Sequence, residues 1–233
     1  MCPMRRSIKA CLFRHVAFSK KNCSPICAAA GSCAGAEPQR QRARRGGNLS
    51  AIAAHSPSGQ RIIDAVSIRD RPAEIEDRAI PGHWEGDLLS GAKNSHIATL
   101  VERSSRFVML VKVAGKDSNS VVSALIARVQ HLPQSVMASL TWDRGTELAY
   151  HRKFTIATDV CVYFCDPKSP WQRGSNENTN GLLRQYLPNG TDLSVYTQSD
   201  LDQIALRLNT RPRKTLGFQT PADTFKRAVA LTG

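Results

Sequence analysis

Three carboxylates in unlike contexts carry the chemistry this chain could perform: Asp87 in GHWEGDLL, Asp143 in SLTWDRGTE and Glu177 in PWQRGSNENTNGLLRQYLP. Asp87 lies in an apolar, strand-like segment, Asp143 ends a second such segment, and Glu177 opens a helix. Acids so far apart in sequence meet only through the fold. Converging hard oxygen ligands suit magnesium, and two such ions can stabilise both the attacking and the leaving oxygen of a phosphodiester displacement. The first expectation is metal-dependent phosphoryl transfer on nucleic acid.

The surroundings of each acid sharpen this. Strand period two puts Glu85 on the face of Asp87, which makes it the rival ligand, or else an acid paired to a nearby Arg or Lys. A carboxylate on a buried strand is costly without a cation or donor. Asp143 follows Trp142 and precedes Gly145, at a strand end of the kind where α/β sheets place ligands. Around Glu177, the residues Gly174, Asn176, Asn178, Asn180 and Gly181 are poor helix formers, so local propensity is sacrificed there. Their small, hydrogen-bonding side chains would let a DNA backbone approach. Glu177, Asn180, Gly181 and Arg184 share one helix face, with Leu182, Leu183 and Tyr186 turned inward. Arg184 then offers a phosphate-binding guanidinium two turns below the acid. His83, beside Trp84, reads either as a general base or as a structural histidine. Tyr186, among leucines, reads as core and not as a nucleophile. No Gly-rich phosphate loop is present.

The elements that must position these groups follow from pattern. HWEGDLLSG, HIATLVERSS and RFVMLVKVA are three strands, the last two joined by a polar turn at Ser104 and Ser105. Val121, Val122, Leu125, Ile126 and Val129 form the stripe of a helix over about 118–132. MASLTWD is a fourth strand, a weak helical segment runs from Glu147 to about Ala157, and VCVYFC is a fifth strand. A helix from about Ser175 to Leu187 carries Glu177. A last helix is signalled by Ser199 and Asp202 ahead of Ile204, Ala205 and Leu208, and the basic run RPRK follows it. The sum is an α/β fold: a five-stranded mixed sheet flanked by helices.

Composition sets the setting. The 233 residues are 41% hydrophobic, with a net charge of +13 and a pI near 9.8, which points to a polyanionic partner. The first 60 residues hold ten Lys or Arg against one acid, Glu37. Residues 1–59 are read as a disordered, basic, Cys/Arg-rich segment and 60–233 as the catalytic domain. No stretch is long and apolar enough for a membrane span or a secretory signal, so a cytoplasmic, nucleoid-associated protein is expected. Cys23 and Cys27 lack the second half of a zinc pattern, and Cys161 and Cys165 read as buried free thiols.

Taken in order, GHWEGDLL, TLVERSSR, LTWDRGTE, VYFCDPKSPWQRGSNENTNGLLRQYLP and LNTRPRKTLGFQTPADTF resemble the transposases of the insertion sequence 30 family, over about residues 60–228. The resemblance implies a ribonuclease H-like integrase core with an Asp-Asp-Glu triad, Asp87, Asp143 and Glu177, binding two Mg²⁺ or Mn²⁺ ions. By analogy with integrases it also implies a DNA contact from Arg184, and a homo-oligomer assembled on transposon inverted repeats and target DNA; Asn178 and Asn180 are read as further DNA contacts from their small polar side chains. The chemistry implied is hydrolysis that frees a 3′ hydroxyl, then attack of that hydroxyl on target DNA. Two departures stand out. Arg144 occupies the position where relatives have Asn, so its charge is expected either to compete for Asp143 or to serve as an extra phosphate contact. Residues 1–58 do not resemble the family's helix-turn-helix region, so a truncated or frameshifted copy is expected. A DNA-binding remnant without transposition activity is the alternative.

Overall fold

The computed structural model describes Ile62, residues 64–75, Arg78, and residues 80–130 and 132–232. The segment 1–59, read from sequence as basic and disordered, lies outside the described residues. Five strands, β1 (His83–Ser90), β2 (His96–Glu102), β3 (Val108–Val113), β4 (Ser139–Trp142) and β5 (Cys161–Phe164), form one sheet in the order β3-β2-β1-β4-β5. The β1–β2 and β2–β3 pairs are antiparallel, and β1–β4 and β4–β5 are parallel. The helices are α1 (Ser118–Val129), α2 (His151–Thr158), α3 (Gly174–Leu183), α4 (Gln198–Asn209) and α5 (Pro221–Thr232).

Strand alternation divides the core between the two faces of the sheet. Trp84, Ala98, Leu100, Met109, Val111, Leu140 and Trp142 join α1 and Phe154 in one cluster. Leu89, Ile97, Val101, Val108 and Leu110 join Leu183, Leu201 and Leu208 of α3 and α4 in the other. Both faces of β2 are therefore covered, and all seven of its residues are buried. Helices on both sides of a mixed sheet make a three-layer α/β domain. Gly86 is required on the α1 side, because a Cβ there would lie 2.3 Å from the Trp142 ring. The opposite face of β1 carries Glu85 and Asp87 toward α3.

Two boundaries and one whole helix differ most from the sequence reading. The helix bearing Glu177 stops at Leu183, four residues short of the expected Leu187, and continues as turns. The cap of α4 is Thr197 with Asp200 in a reciprocal capping box, two residues before the Ser199–Asp202 pair, since only Thr197 keeps the extended backbone an N-cap needs. A further helix, α5, follows the RPRK run. Its signal was Thr220-Pro221-Ala222-Asp223, a capping hydroxyl followed by proline at the first helical position, and the Asp223 N–H donates to Thr220 Oγ1. Through Phe225, α5 stacks on Phe107 (4.4 Å) and meets Trp84 edge-on (5.9 Å).

Cys165 is buried and Cys161 half-buried, both as free thiols. Burial pushes the Cys165 thiol up to about 11, which leaves it an unreactive apolar group. His83 Nδ1 sits 2.8 Å from Ser139 Oγ. Its pKa is pushed down to about 4, first by burial and then by the charges of Arg103 and Arg71. The ring is therefore neutral at pH 7. Below its ordinary 6.5 the unfolded chain takes up the proton first, so this group's stability is complete above 6.5 and is lost as the pH falls toward 4. Thermal unfolding at pH 7 and pH 4.5 should show a smaller acid-induced drop for His83→Asn than for the wild type; equal drops would remove His83 as a contributor. Among the described residues no helix is long and apolar enough to cross a membrane.

Candidate active site

Parallel pairing of β1 with β4 brings the two aspartates together. The ladder runs from His83–Ser139 to Glu85–Thr141, and two more steps along that register set Asp87 beside Asp143. Asp143 follows the last residue of β4, where the chain leaves the sheet, while Asp87 lies inside β1, just past the point where its parallel pairing with β4 ends and only the pairing with β2 continues. The Asp87 carboxylate accepts from its neighbour's N–H, Leu88 (2.9 Å), and from the Asn180 amide (3.0 Å). The Gly145 N–H donates to Asp143 Oδ1 at 3.1 Å. Burial pushes the Asp143 carboxyl above the usual range, and Arg173 and the Gly145 N–H oppose that rise.

Arg173 is the residue that sequence reasoning missed. Its guanidinium lies 3.0 Å from Asp87 Oδ1 and 3.8 Å from Asp143 Oδ2, and it also donates to the Gly86 carbonyl. A single buried cation thus faces both aspartates. One signal was available: Arg173 stands immediately before a helix start, where the macrodipole disfavours a cation, so it needs anionic partners. The expected competitor at Asp143, Arg144, is instead among the charges that lower the pKa of Asp166. A fourth acid, Glu147, folds back over Gly145, pairs with Lys116 at 3.1 Å, and adds to the upward push on Asp143.

The placement of α3 depends on Glu85. This fully buried carboxylate pairs with Arg103 (3.1 Å) through one oxygen. Its other oxygen accepts the N–H groups of Ser175 (2.9 Å) and Asn176 (3.0 Å). A side chain from the strand therefore caps the first turn of a helix whose own N-cap residue, Arg173, makes no capping bond. From that anchor α3 runs alongside β1. Asn180 meets Asp87, and Arg184 meets the Ser90 carbonyl (3.3 Å) while also reaching the Leu187 carbonyl (3.4 Å). Glu177 shares the face of Asn180 and Arg184 and is exposed one turn before Asn180. Asn180 thus serves Asp87 rather than standing free, while Asn178 is exposed on another face.

Among the described residues no three His, Cys, Asp or Glu side chains are grouped closely enough to hold a metal ion. Two of the sequence-predicted acids converge on one cation, and the third projects outward beside them. The donors nonetheless suit a hard cation: they are carboxylate oxygens, and Asn180 Oδ1 is buried next to them with no hydrogen bond. Replacing Arg173 leaves two adjacent carboxylates without their counter-ion. For Arg173→Met we expect a loss of about 2 kcal/mol without divalent ions, less than for a fully buried pair because Asp143 is 41% exposed. Added Mn²⁺ should restore more stability to this variant than to the wild type; equal shifts in melting temperature would show that Arg173 does not compete with a metal.

Residues 77–170 match the integrase core domain family. The sheet is also like that of solved integrases at 18% identity. For the catalytic core of BIV integrase the TM-score is 0.50, covering 64% of this chain and 97% of that one. For a chain of the simian T-cell lymphotropic virus intasome in complex with a PP2A regulatory subunit it is 0.51, covering 63% and 55%. The fold is thus ribonuclease H-like. The chain is 54% identical over 196 residues to the transposase InsI of element IS30A from Escherichia coli K12, covering 82% of this chain and 51% of that protein. It is 54% identical over 170 residues to the IS1086 transposase of Cupriavidus metallidurans, covering 72% and 50%. Over these residues it belongs to the insertion sequence 30 family of transposases, and it spans about half the length of the curated relatives it matches.

Proposed function

We propose that this chain supplies the catalytic chemistry of a DDE-type DNA transposase. Water attacks a phosphorus at the transposon end and the 3′ oxygen leaves with a proton. The freed 3′ hydroxyl then attacks a target phosphorus, the target's P–O3′ bond breaks, and the target 3′ oxygen leaves with the proton of the attacking hydroxyl. The observation that carries this reading is the pair Asp87 and Asp143, drawn from neighbouring parallel strands and facing one cation position. Asp87, Asp143 and Glu177 would hold two Mg²⁺ or Mn²⁺ ions. When bound, those ions would acidify the attacking water or hydroxyl and neutralise charge on the leaving oxygen.

The chain's own residues do the positioning. Asn180 and the Leu88 N–H fix the Asp87 carboxylate, and the Gly145 N–H fixes Asp143. Glu85 pins the first turn of α3, so Glu177 is carried on a rigid element instead of a loop. Arg184, Asn178 and Arg144 are assigned to DNA contacts, and Trp171, 71% exposed two residues before Arg173, adds a stacking surface. Tyr186 packs against the α3–α4 core, which supports a mechanism with no covalent protein intermediate. The partners are inverted-repeat ends and target DNA, engaged by a homo-oligomer.

A second reading, a DNA-binding remnant, is favoured by one observation: Arg173 stands between the aspartates while Glu177 faces outward. The test is joining of a pre-cleaved end with a free 3′ hydroxyl to target DNA in Mg²⁺ or Mn²⁺. Joined product supports the catalytic reading, whereas DNA binding without joining supports the remnant. DNA affinity should also fall steeply with salt, because each phosphate contact releases counterions, and a flat titration would count against both readings.

A further inference from the structure

A cleft of about 340 Å³ opens at the amino end of α3, lined by Arg78, Arg106, Arg213, Gly174, Asn178 and Thr215. Three guanidinium groups face it and no carboxylate lines it. Their crowding is unfavourable as it stands. The Arg106 pKa is lowered first by burial and then by the charge of Arg78, with Glu85 and Glu102 opposing, and that of Arg213 is lowered first by burial and then by Arg211, which lies outside the cleft lining. Arg213 Nε is buried and makes no hydrogen bond.

Protein contacts hold these side chains in place without neutralising them all. Arg106 donates to Ser175 Oγ, and Arg213 donates to the Leu208 carbonyl at 3.4 Å. The Arg78 guanidinium lies 4.0 Å from where a Cβ on Gly174 would stand. The first turn of α3 contributes the partial positive charge of a helix start at the same place. Planar forks of N–H donors around a cleft lined by no carboxylate match the oxygens of a phosphate group. Asn178 lines the cleft from the same first turns of α3 that carry Glu177 on a neighbouring face.

We propose that this cleft is a seat for a DNA backbone phosphate, built from Arg78, Arg106 and Arg213 and separate from the three acids. It rests on the reading of the chain as a protein that acts on DNA, and it gives Arg213 of the RPRK run a role. A strand gripped at the amino end of α3 is held on the helix that carries Glu177, which fixes its path relative to that acid.

The test is fluorescence anisotropy of a short labelled duplex in EDTA, where metal ligation contributes nothing. It compares the wild type with Arg78→Gln, Arg213→Gln and a charge-matched control, Lys226→Gln on α5. The arginine variants should bind about tenfold more weakly, with the slope of log affinity against log salt reduced by about one, while the control stays near wild type. Arginine variants that match the control, with a wild type that binds in a salt-dependent way, overturn the cleft and leave the reading of the chain intact. A wild type without salt-dependent binding overturns both. Inorganic phosphate that raises the melting temperature of the wild type but not of Arg78→Gln, with unchanged DNA affinity, identifies a free-anion site and overturns the DNA seat. Should circular dichroism show that Arg213→Gln is unfolded, Arg78→Gln decides, since Arg78 donates no hydrogen bond among the described residues.

Discussion

Asp87→Asn should lower strand transfer at saturating Mg²⁺ by about a thousandfold or more, about 4 kcal/mol of transition-state stabilisation at about 1.4 kcal/mol per tenfold. The substitution keeps the shape of the side chain and an oxygen that can accept from the Leu88 N–H. What it removes is the charge that faces the cation position beside Asp143. The same charge answers Arg173, but the Asp87 side chain is 24% exposed, so the stability lost should be only about 1 kcal/mol. DNA affinity in EDTA should be unchanged within about threefold, because the phosphate contacts that set it lie elsewhere. A joining rate within tenfold of wild type would remove Asp87 from the catalytic set.

Glu85→Ala should be the most destabilising single change on this face, about 4 kcal/mol by the midpoint of urea unfolding. It strands the buried Arg103 guanidinium and leaves the N–H groups of Ser175 and Asn176 without an acceptor. Because those groups open α3, the loss propagates to the site: Glu177, Asn180 and Arg184 all ride on the released helix. Glu85→Ala with Arg103→Met should recover part of the stability, since the stranded charge is gone, but not the activity, since the helix cap is still missing. Destabilisation below about 1 kcal/mol would show that α3 does not depend on its strand-borne cap.

The sheet was legible because its signals are local. Alternation in HWEGDLLS and HIATLVE, the polar turn at Ser104–Ser105, and the stripe from Val121 to Val129 each specify an element within a dozen residues. Asp87 and Asp143 were legible for the same reason, as acids in or at the end of apolar strands. What remained hidden depends on pairs distant in sequence. Arg173 lies 86 residues from Asp87, and Glu85 caps a helix about 90 residues away; no periodicity within either segment reports such partners. The cap of α4 was misread because Ser199 and Thr197 carry similar hydroxyls, and only the extended backbone at Thr197 distinguishes them. The shorter α3 has a local cause: after Leu183 the chain tightens into i→i−3 turns at Gln185 and Tyr186, and Gly174, Asn176, Asn178 and Gly181 give the helix little propensity to resist.

Glu177 is where the proposed site departs most from the observed arrangement, since its carboxylate faces outward while the two aspartates share Arg173. Binding of Mn²⁺, counted by the loss of the free-ion electron paramagnetic resonance signal, tests the claim most directly when wild type, Asp87→Asn, Asp143→Asn and Glu177→Gln are titrated side by side. The proposed site predicts saturable binding to the wild type that each substitution weakens by about tenfold or more. Binding by Glu177→Gln that matches wild type, with both aspartate variants impaired, would contradict a three-acid site; binding unchanged in all three variants would contradict a metal site at this sheet edge altogether.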